Sequence, residues 1–253
     1  MNGERKYLYC VIKETKPKKF DILGQGEKGV YTIDEEGLAV VVSDSEITEY
    51  PFIREHLITH QKVIEDVMKK GYDVLPVRFG TVSGRVEDIK KKILKARRKE
   101  LLETFPIVEG RIELGLRILW KDMPAIFQEI VGENREIQFA KKEAQKSLNQ
   151  FKIAAVGELV EKALKAKRES DAQKIFTPLK KLAVDFKERE LIKSSELMKD
   201  SMILSSAFLV PKKNEKEFDK RVEELIKEYG KRIKFIYIGP IPPFNFVELG
   251  LHI

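Results

Sequence analysis

Cysteine is almost missing from this chain: Cys10 is the only one among 253 residues, so no disulfide and no cysteine-built metal site can form within one molecule. Histidine is nearly as scarce, with three in all, which leaves few general bases and few nitrogen ligands. No G-x-S-x-G elbow occurs, and Cys10 sits in an apolar run where a thiol is inert, so nucleophilic catalysis has no candidate. No segment approaches the roughly 18 consecutive apolar residues that span a bilayer. Only about six apolar residues follow the charged Glu4, Arg5 and Lys6, too few for a signal peptide, and a soluble cytoplasmic protein is expected. One motif suggests a nucleotide: GQGEKG, Gly24 to Gly29, fits the G-x-G-x-x-G spelling. A pyrophosphate turn needs a helix after the glycines, whereas VYTI, DEEG and LAVVVSD read as two strands about an acidic turn. The glycines are therefore loop residues that tolerate positive φ, and no cofactor is expected.

What is present is ordinary globular material, with 42% hydrophobic and 35% charged residues and a net charge of +7. The basic balance permits nucleic acid or an acidic protein as partner, although lysines interleaved with glutamates along helices read as solvated faces. YLYCVI, Tyr7 to Ile12, reads as a buried first strand. Leu57, Ile64, Val67 and Met68 recur at helical spacing from Glu55 to Lys70, and Gly71 stands where a C-terminal cap belongs. VLPVRFGTVS is extended, because Pro76 keeps Leu75 out of the helical region. A second helix is expected from Val86 to about Phe105, with acids in its first turn and bases later.

RIELGLRILW, Arg111 to Trp120, alternates as a half-buried strand with Ile112, Leu114, Leu116, Ile118 and Trp120 on one face. Ile137, Ala140, Ala144, Leu148, Phe151, Ala155, Leu159 and Ala163 predict one long helix from Asn134 to about Ser170, on the order of 50 Å. Thr177 and Pro178 interrupt a further helical stretch. FKERELI and SMILSSAFLV then pair as strands, FDKRVEELIKEYG is a helix ending at Gly230, and RIKFIYIG is the last strand. This order is the ferredoxin-like plan. The expected fold class is α+β: two ferredoxin-like units with antiparallel sheets and helices on one face, the long helix in the second. The domains are residues 1–108, and 109–253 with an extended proline and phenylalanine tail.

HLITH places His56 and His60 one helical turn apart, a spacing that can offer two imidazoles to a metal. Leu57 stands where a zinc protease carries its glutamate, and the third histidine, His252, is at the far C-terminus, so no metal site is expected. A basic ferredoxin-like sheet also suggests an RNA-binding module stacking bases on Tyr7, Tyr9, Phe235 and Tyr237; aromatics at alternate strand positions are more often core, and the consensus of such modules is absent. In the tail GPIPPFNFVELGLHI three prolines hold the chain extended, so Phe244 and Phe246 either dock on the other domain or stay exposed as partner anchors, docking being favoured.

The succession of YLYCVI, GLAVVVSD, THQKVIEDVM, VLPVRFGT, GRIELGLRILW, SMILSSAFLVP and FDKRVEELIKEYGKRIKFIYIGPIPPFNFVEL resembles the gas vesicle synthesis proteins of the F/L type over nearly the whole chain. VLPVRFGT and the GPxPPFNFV pattern are its most specific pieces, while the helices from Asn134 to Lys187 carry only a generic amphipathic pattern. The resemblance implies a non-enzymatic accessory or minor structural protein of gas vesicle assembly, associated with the vesicle. Its implied partners are the small hydrophobic shell protein, whose aggregation it limits during nucleation, and other gas vesicle accessory proteins; no nucleic acid or membrane partner is implied. A charged binder could mask exposed strand edges of such a subunit. Arg78, Phe79, Phe244, Asn245 and Phe246, which fall in the two most specific motifs, are the candidate partner-binding residues. The alternative for Arg78 and Asn245 is that they tie the tail to the N-terminal unit.

Overall fold

The computed structural model describes residues 5–147, 150–188 and 201–250, a mixture of helices and antiparallel sheets. Two units form: one from the residues up to Glu113 together with those from Gly239 onward, the other from Leu114–Ile238.

The first unit is a sheet of β1 (Arg5–Lys13), β2 (Lys19–Leu23), β3 (Gly29–Glu35), β4 (Leu38–Ser45), β5 (Leu75–Pro76) and β6 (Val82–Ser83). Its order is β2-β3-β4-β1-β5, with β6 also on β1. The acidic turn of the β3–β4 hairpin puts Glu36 and Gly37 at φ 50° and 87°, the two positive angles that match the twist of a tight hairpin. Both central strands are apolar on both faces. A bulge between Leu8 and Cys10 sets Tyr7, Tyr9, Cys10 and Ile12 toward α1 (Arg54–Lys69) and Leu8 and Val11 toward the opposite side. There lie α2, which begins at Val86–Asp88 and continues as a π-type stretch over Ile89–Lys95, and α3 (Arg98–Val108). Helices thus cover both faces of this sheet, not one, as its continuous apolar runs require. The single helix expected over 86–105 is divided at Ala96 and Arg97.

The second unit begins within β7 (Arg111–Trp120), whose residues through Glu113 belong to the first, and continues through α4 (Met123–Glu133), α5 (Arg135–Ser147), α6 (Gln150–Lys180), β8 (Asp185–Glu188), β9 (Met202–Pro211) and α7 (Glu215–Tyr229) into β10 (Ile233–Ile241), which returns to the first unit at Gly239. Its sheet order is β10-β7-β9-β8. A file of rings joins its elements: Phe176 of α6 lies 5.6 Å from Phe208 of β9, which lies 5.3 Å from Phe218 of α7, itself stacked at 6.1 Å on Tyr237 of β10. The stripe from Asn134 onward is not one helix. Asp122 caps α4 through Ala125 N, Asn134 caps α5 through Glu136 N and Ile137 N, and Lys152 of α6 lies 4.0 Å from Glu143 of α5, so α5 and α6 run side by side. Leu148 of that stripe and residues 189–192 of the expected FKERELI strand lie outside the described residues, as does His252. Pro178 sits inside the last turn of α6 and does not interrupt it.

The tail, read from sequence as the end of the second domain, lies with the first unit. Leu249 pairs in parallel with Val77, its N–H donating to Pro76 O (3.0 Å) while Arg78 N donates to Leu249 O (3.3 Å). Val247 and Leu249 complete the core beside Leu75 and Val77.

Candidate functional site

Both motif-rich segments meet on α1. Helical spacing sets His60 with Val63, Ile64 and Val67 on its buried face, while Leu57, expected in that stripe, is exposed. His60 is only 4% exposed. The RFGT segment bulges between β5 and β6: Gly80 turns at φ 80°, Thr81 Oγ1 donates to Arg78 O (2.7 Å), and Gly80 N donates to Tyr7 Oη (3.1 Å). That bulge carries the Phe79 ring to 5.7 Å from the imidazole, edge-on, as Tyr7 also lies. Tyr9 and Phe244 stack along its faces at 5.7 and 6.3 Å. Four aromatic rings therefore enclose one imidazole.

Tyr7 Oη, which accepts from Gly80 N, lies 3.0 Å from His60 Nδ1; in the tautomer that carries the ring proton on Nε2, facing the Val77 backbone, Tyr7 donates to Nδ1. Nε2 is buried without a hydrogen-bond partner of good geometry. Burial lowers the His60 pKa to about 4, offset only in part by the Val77 backbone, so the ring is neutral at physiological pH. Burial also pushes the Tyr9 phenol up to about 12 and the Cys10 thiol upward, and neither is a nucleophile at neutral pH. His56 turns elsewhere, its Nδ1 donating to Gln25 Oε1 at 2.9 Å, so the two histidines do not converge on a metal. Among the described residues no three His, Cys, Asp or Glu side chains are placed to hold an ion.

The glycine motif serves this network as well. A Cβ on Gly24 would lie 2.2 Å from Tyr9 Oη and 2.9 Å from Ser43 Oγ, so Gly24 is fixed by close approach, whereas Gly26 takes φ 62° and Gly29 opens β3. A strand follows the motif, and Tyr9 Oη, accepting from Gln25 N at 2.7 Å, stands beside it. The RNA reading loses its platform in the same way: Tyr7 and Tyr9 are wholly buried, and Tyr237 donates to Asp219 at 2.5 Å beneath a stacked Phe218. Within the basic run over 90–99, Lys90 and Lys95 reach Glu35 at 3.4 and 3.1 Å and Lys92 reaches Asp88 at 3.0 Å.

Of the five residues proposed from sequence, Phe79 and Phe244 converge on His60. Asn245 turns to Glu113, its main-chain N 2.9 Å from Oε2 and its side-chain amide on Oε1. Arg78 is exposed and pairs with Glu248 at 3.7 Å, and Phe246 is half-buried. Sequence reasoning missed Phe52, whose ring packs on Phe79 at 4.9 Å although it remains 78% exposed. Ile53, Leu57 and Ile58 are exposed on the same first turns of α1. It also missed Glu113, placed by alternation on the polar face of β7 but fully buried. Phe52, Ile53 and Leu57 thus leave apolar side chains exposed at the start of α1.

The family model described as gas vesicle synthesis protein GvpL/GvpF matches residues 5–248. Gas vesicle protein F of Nostoc sp. is 29% identical over 96% of this chain and 98% of its own length. Gas vesicle protein F1 of Halobacterium salinarum is 25% identical over 98% and 95%. The crystal structure of gas vesicle protein GvpF from Anabaena sp. superimposes with a TM-score of 0.86 at 28% identity, covering 98% of this chain and all of that one. That of GvpF from Microcystis aeruginosa gives 0.81 at 26%, covering 97% and 99%.

Proposed function

Since the chain belongs to the GvpL/GvpF family of gas vesicle synthesis proteins and so takes part in gas vesicle formation, we propose that it binds the hydrophobic shell protein through the first unit and limits that protein's aggregation during nucleation. The observation that supports this reading is the uncovered aromatic surface: Phe52, largely exposed, rests on Phe79, which rests in turn on the cluster of rings around His60. Exposed apolar rings on a preordered base lose little entropy when a partner covers them. Among the candidates Arg78, Phe79, Phe244, Asn245 and Phe246, the reading gives direct contact to Phe79 with Phe52, Ile53 and Leu57, and a supporting place to Phe244 beside His60. The role is masking, without covalent chemistry, at the vesicle in the cytoplasm. No helix among the described residues is long and apolar enough to cross a membrane.

Co-purification of shell subunit with wild type, with Phe52→Ala/Phe79→Ala and with Phe244→Ala/Phe246→Ala tests it. Capture should drop at least tenfold in the first pair, each buried ring contributing on the order of 1 to 3 kcal/mol at an interface. Light scattering of diluted shell subunit should rise more slowly with wild type than with either variant. Equal capture by folded variants refutes the surface assignment; no effect of wild type on scattering refutes the aggregation-limiting role.

A further inference from the structure

Beyond the Leu249–Val77 pairing and the burial of Val247 and Leu249, the tail is gripped at its turn by a carboxylate buried in β7. Glu113 is 0% exposed. An ionised carboxylate can stay in such a place only with strong donors around it. Asn245 supplies two of them, its main-chain N–H at 2.9 Å and its side-chain amide. Asn245 occupies the middle of a tight turn in which Phe244 N donates to Pro242 O (2.7 Å) and both Phe246 N and Val247 N donate to Pro243 O (3.0 and 2.9 Å). Gripping the centre of that turn fixes the residue on each side, and the one before it is Phe244, stacked on His60.

We propose that Glu113 is a positioning residue for shell-protein binding: it latches Asn245 and thereby seats Phe244 in the aromatic box that supports Phe79 and Phe52. This role rests on the binding function proposed above. Without the latch the tail divides its time between docked and undocked arrangements, and the apparent affinity falls by the fraction that stays docked.

The test uses full-length protein and purified shell subunit. Asn245→Asp removes the side-chain donor and sets a second carboxylate against Glu113, and adjacent carboxylates repel. Glu113→Gln alone is tolerated, because the Asn245 amide can reverse and accept from the introduced amide while the introduced carbonyl accepts the main-chain N–H. The double variant restores both hydrogen bonds, the introduced amide donating to the introduced carboxylate. Hydrogen exchange at Leu249, whose N–H donates to Pro76 O, and at Arg78, whose N–H donates to Leu249 O, reads the latch independently of any partner, since both bonds exist only with the tail docked. With about one molecule in ten still docked, Asn245→Asp should speed that exchange and weaken shell capture about tenfold, with both returning to wild type in the double variant. Should Asn245→Asp fail to fold, Asn245→Ala gives a smaller change of the same sign. Unaltered capture with a released tail overturns the proposal, as does a double variant that recovers exchange but not capture. If wild type captures no shell subunit, the binding function itself falls, and the role of Glu113 in it also; the exchange rates then identify a structural latch alone.

Discussion

Acidifying the protein from about pH 7.5 to about pH 5 should cost the first unit about 2 kcal/mol through His60 alone. In the unfolded chain the ring titrates near 6.5; in the fold, burial holds it to about 4. Between those values the unfolded chain binds a proton that the folded chain refuses, so this contribution is complete above 6.5 and declines as pH falls, by about 1.4 kcal/mol per unit. The total loss below pH 4 is about 3 kcal/mol. Geometry gives the same direction. Protonation would place a hydrogen on Nδ1, facing a Tyr7 hydroxyl that already accepts from Gly80 N, and the Tyr7 proton would lose its acceptor. The carboxylates held low by cations, such as Asp44 by its Lys6 hydrogen bond and Glu35 by Lys95, contribute mainly below this range. Urea unfolding by circular dichroism at the two pH values, in wild type and His60→Phe, isolates the term, since phenylalanine keeps the ring packing and cannot titrate. Fluorescence of Trp120, the single tryptophan and a residue of the second unit, serves as the reference. Equal losses in wild type and variant between the two pH values would refute the reasoning.

In the second unit, Asp171 is 7% exposed, accepts from Trp120 Nε1 at 3.0 Å and lies 3.7 Å from Arg232, so Asp171→Ala should lower stability by about 2 kcal/mol, read as a shifted denaturant midpoint of Trp120 fluorescence; an unmoved midpoint contradicts it. Gly24→Ala should cost on the order of 2 to 3 kcal/mol because the new Cβ must separate Tyr9 Oη from Ser43 Oγ, whereas Gly29→Ala meets nothing within 4 Å and should shift the melting temperature little; matched shifts would discredit the close-approach argument. Capture of shell subunit should persist from about 0.05 to 0.5 M salt, since apolar contacts are not screened, and a steep decline would favour an electrostatic partner of the nucleic-acid kind.

Local chemistry was enough for β1, β3 and β4 of the first unit, through β-branched runs for β1 and β4 and an acidic turn ending on Gly37 for the hairpin, but not for the short edge strand β2, which the sequence did not disclose. It was enough for α7, where Phe218, Val222 and Leu225 keep helical spacing. The spacing of His60 to Val63, Ile64 and Val67 could have placed it in the core. Periodicity did not reveal that α5 and α6 are separate helices lying side by side, because two amphipathic helices on one core present the same stripe as a single long one. Alternation misplaced Glu113, because the donor that makes a buried carboxylate tolerable comes from Asn245, 132 positions away. The residues of the RFGT bulge and the PPFNFV turn are visible in the sequence, but the turn each makes is not, since both segments read as extended. That both turns close on one imidazole, leaving Phe52 uncovered above them, is decided only when β1, α1 and the returning tail assemble, since hydrophobic burial and hydrogen-bond satisfaction are properties of neighbours in space and not along the chain.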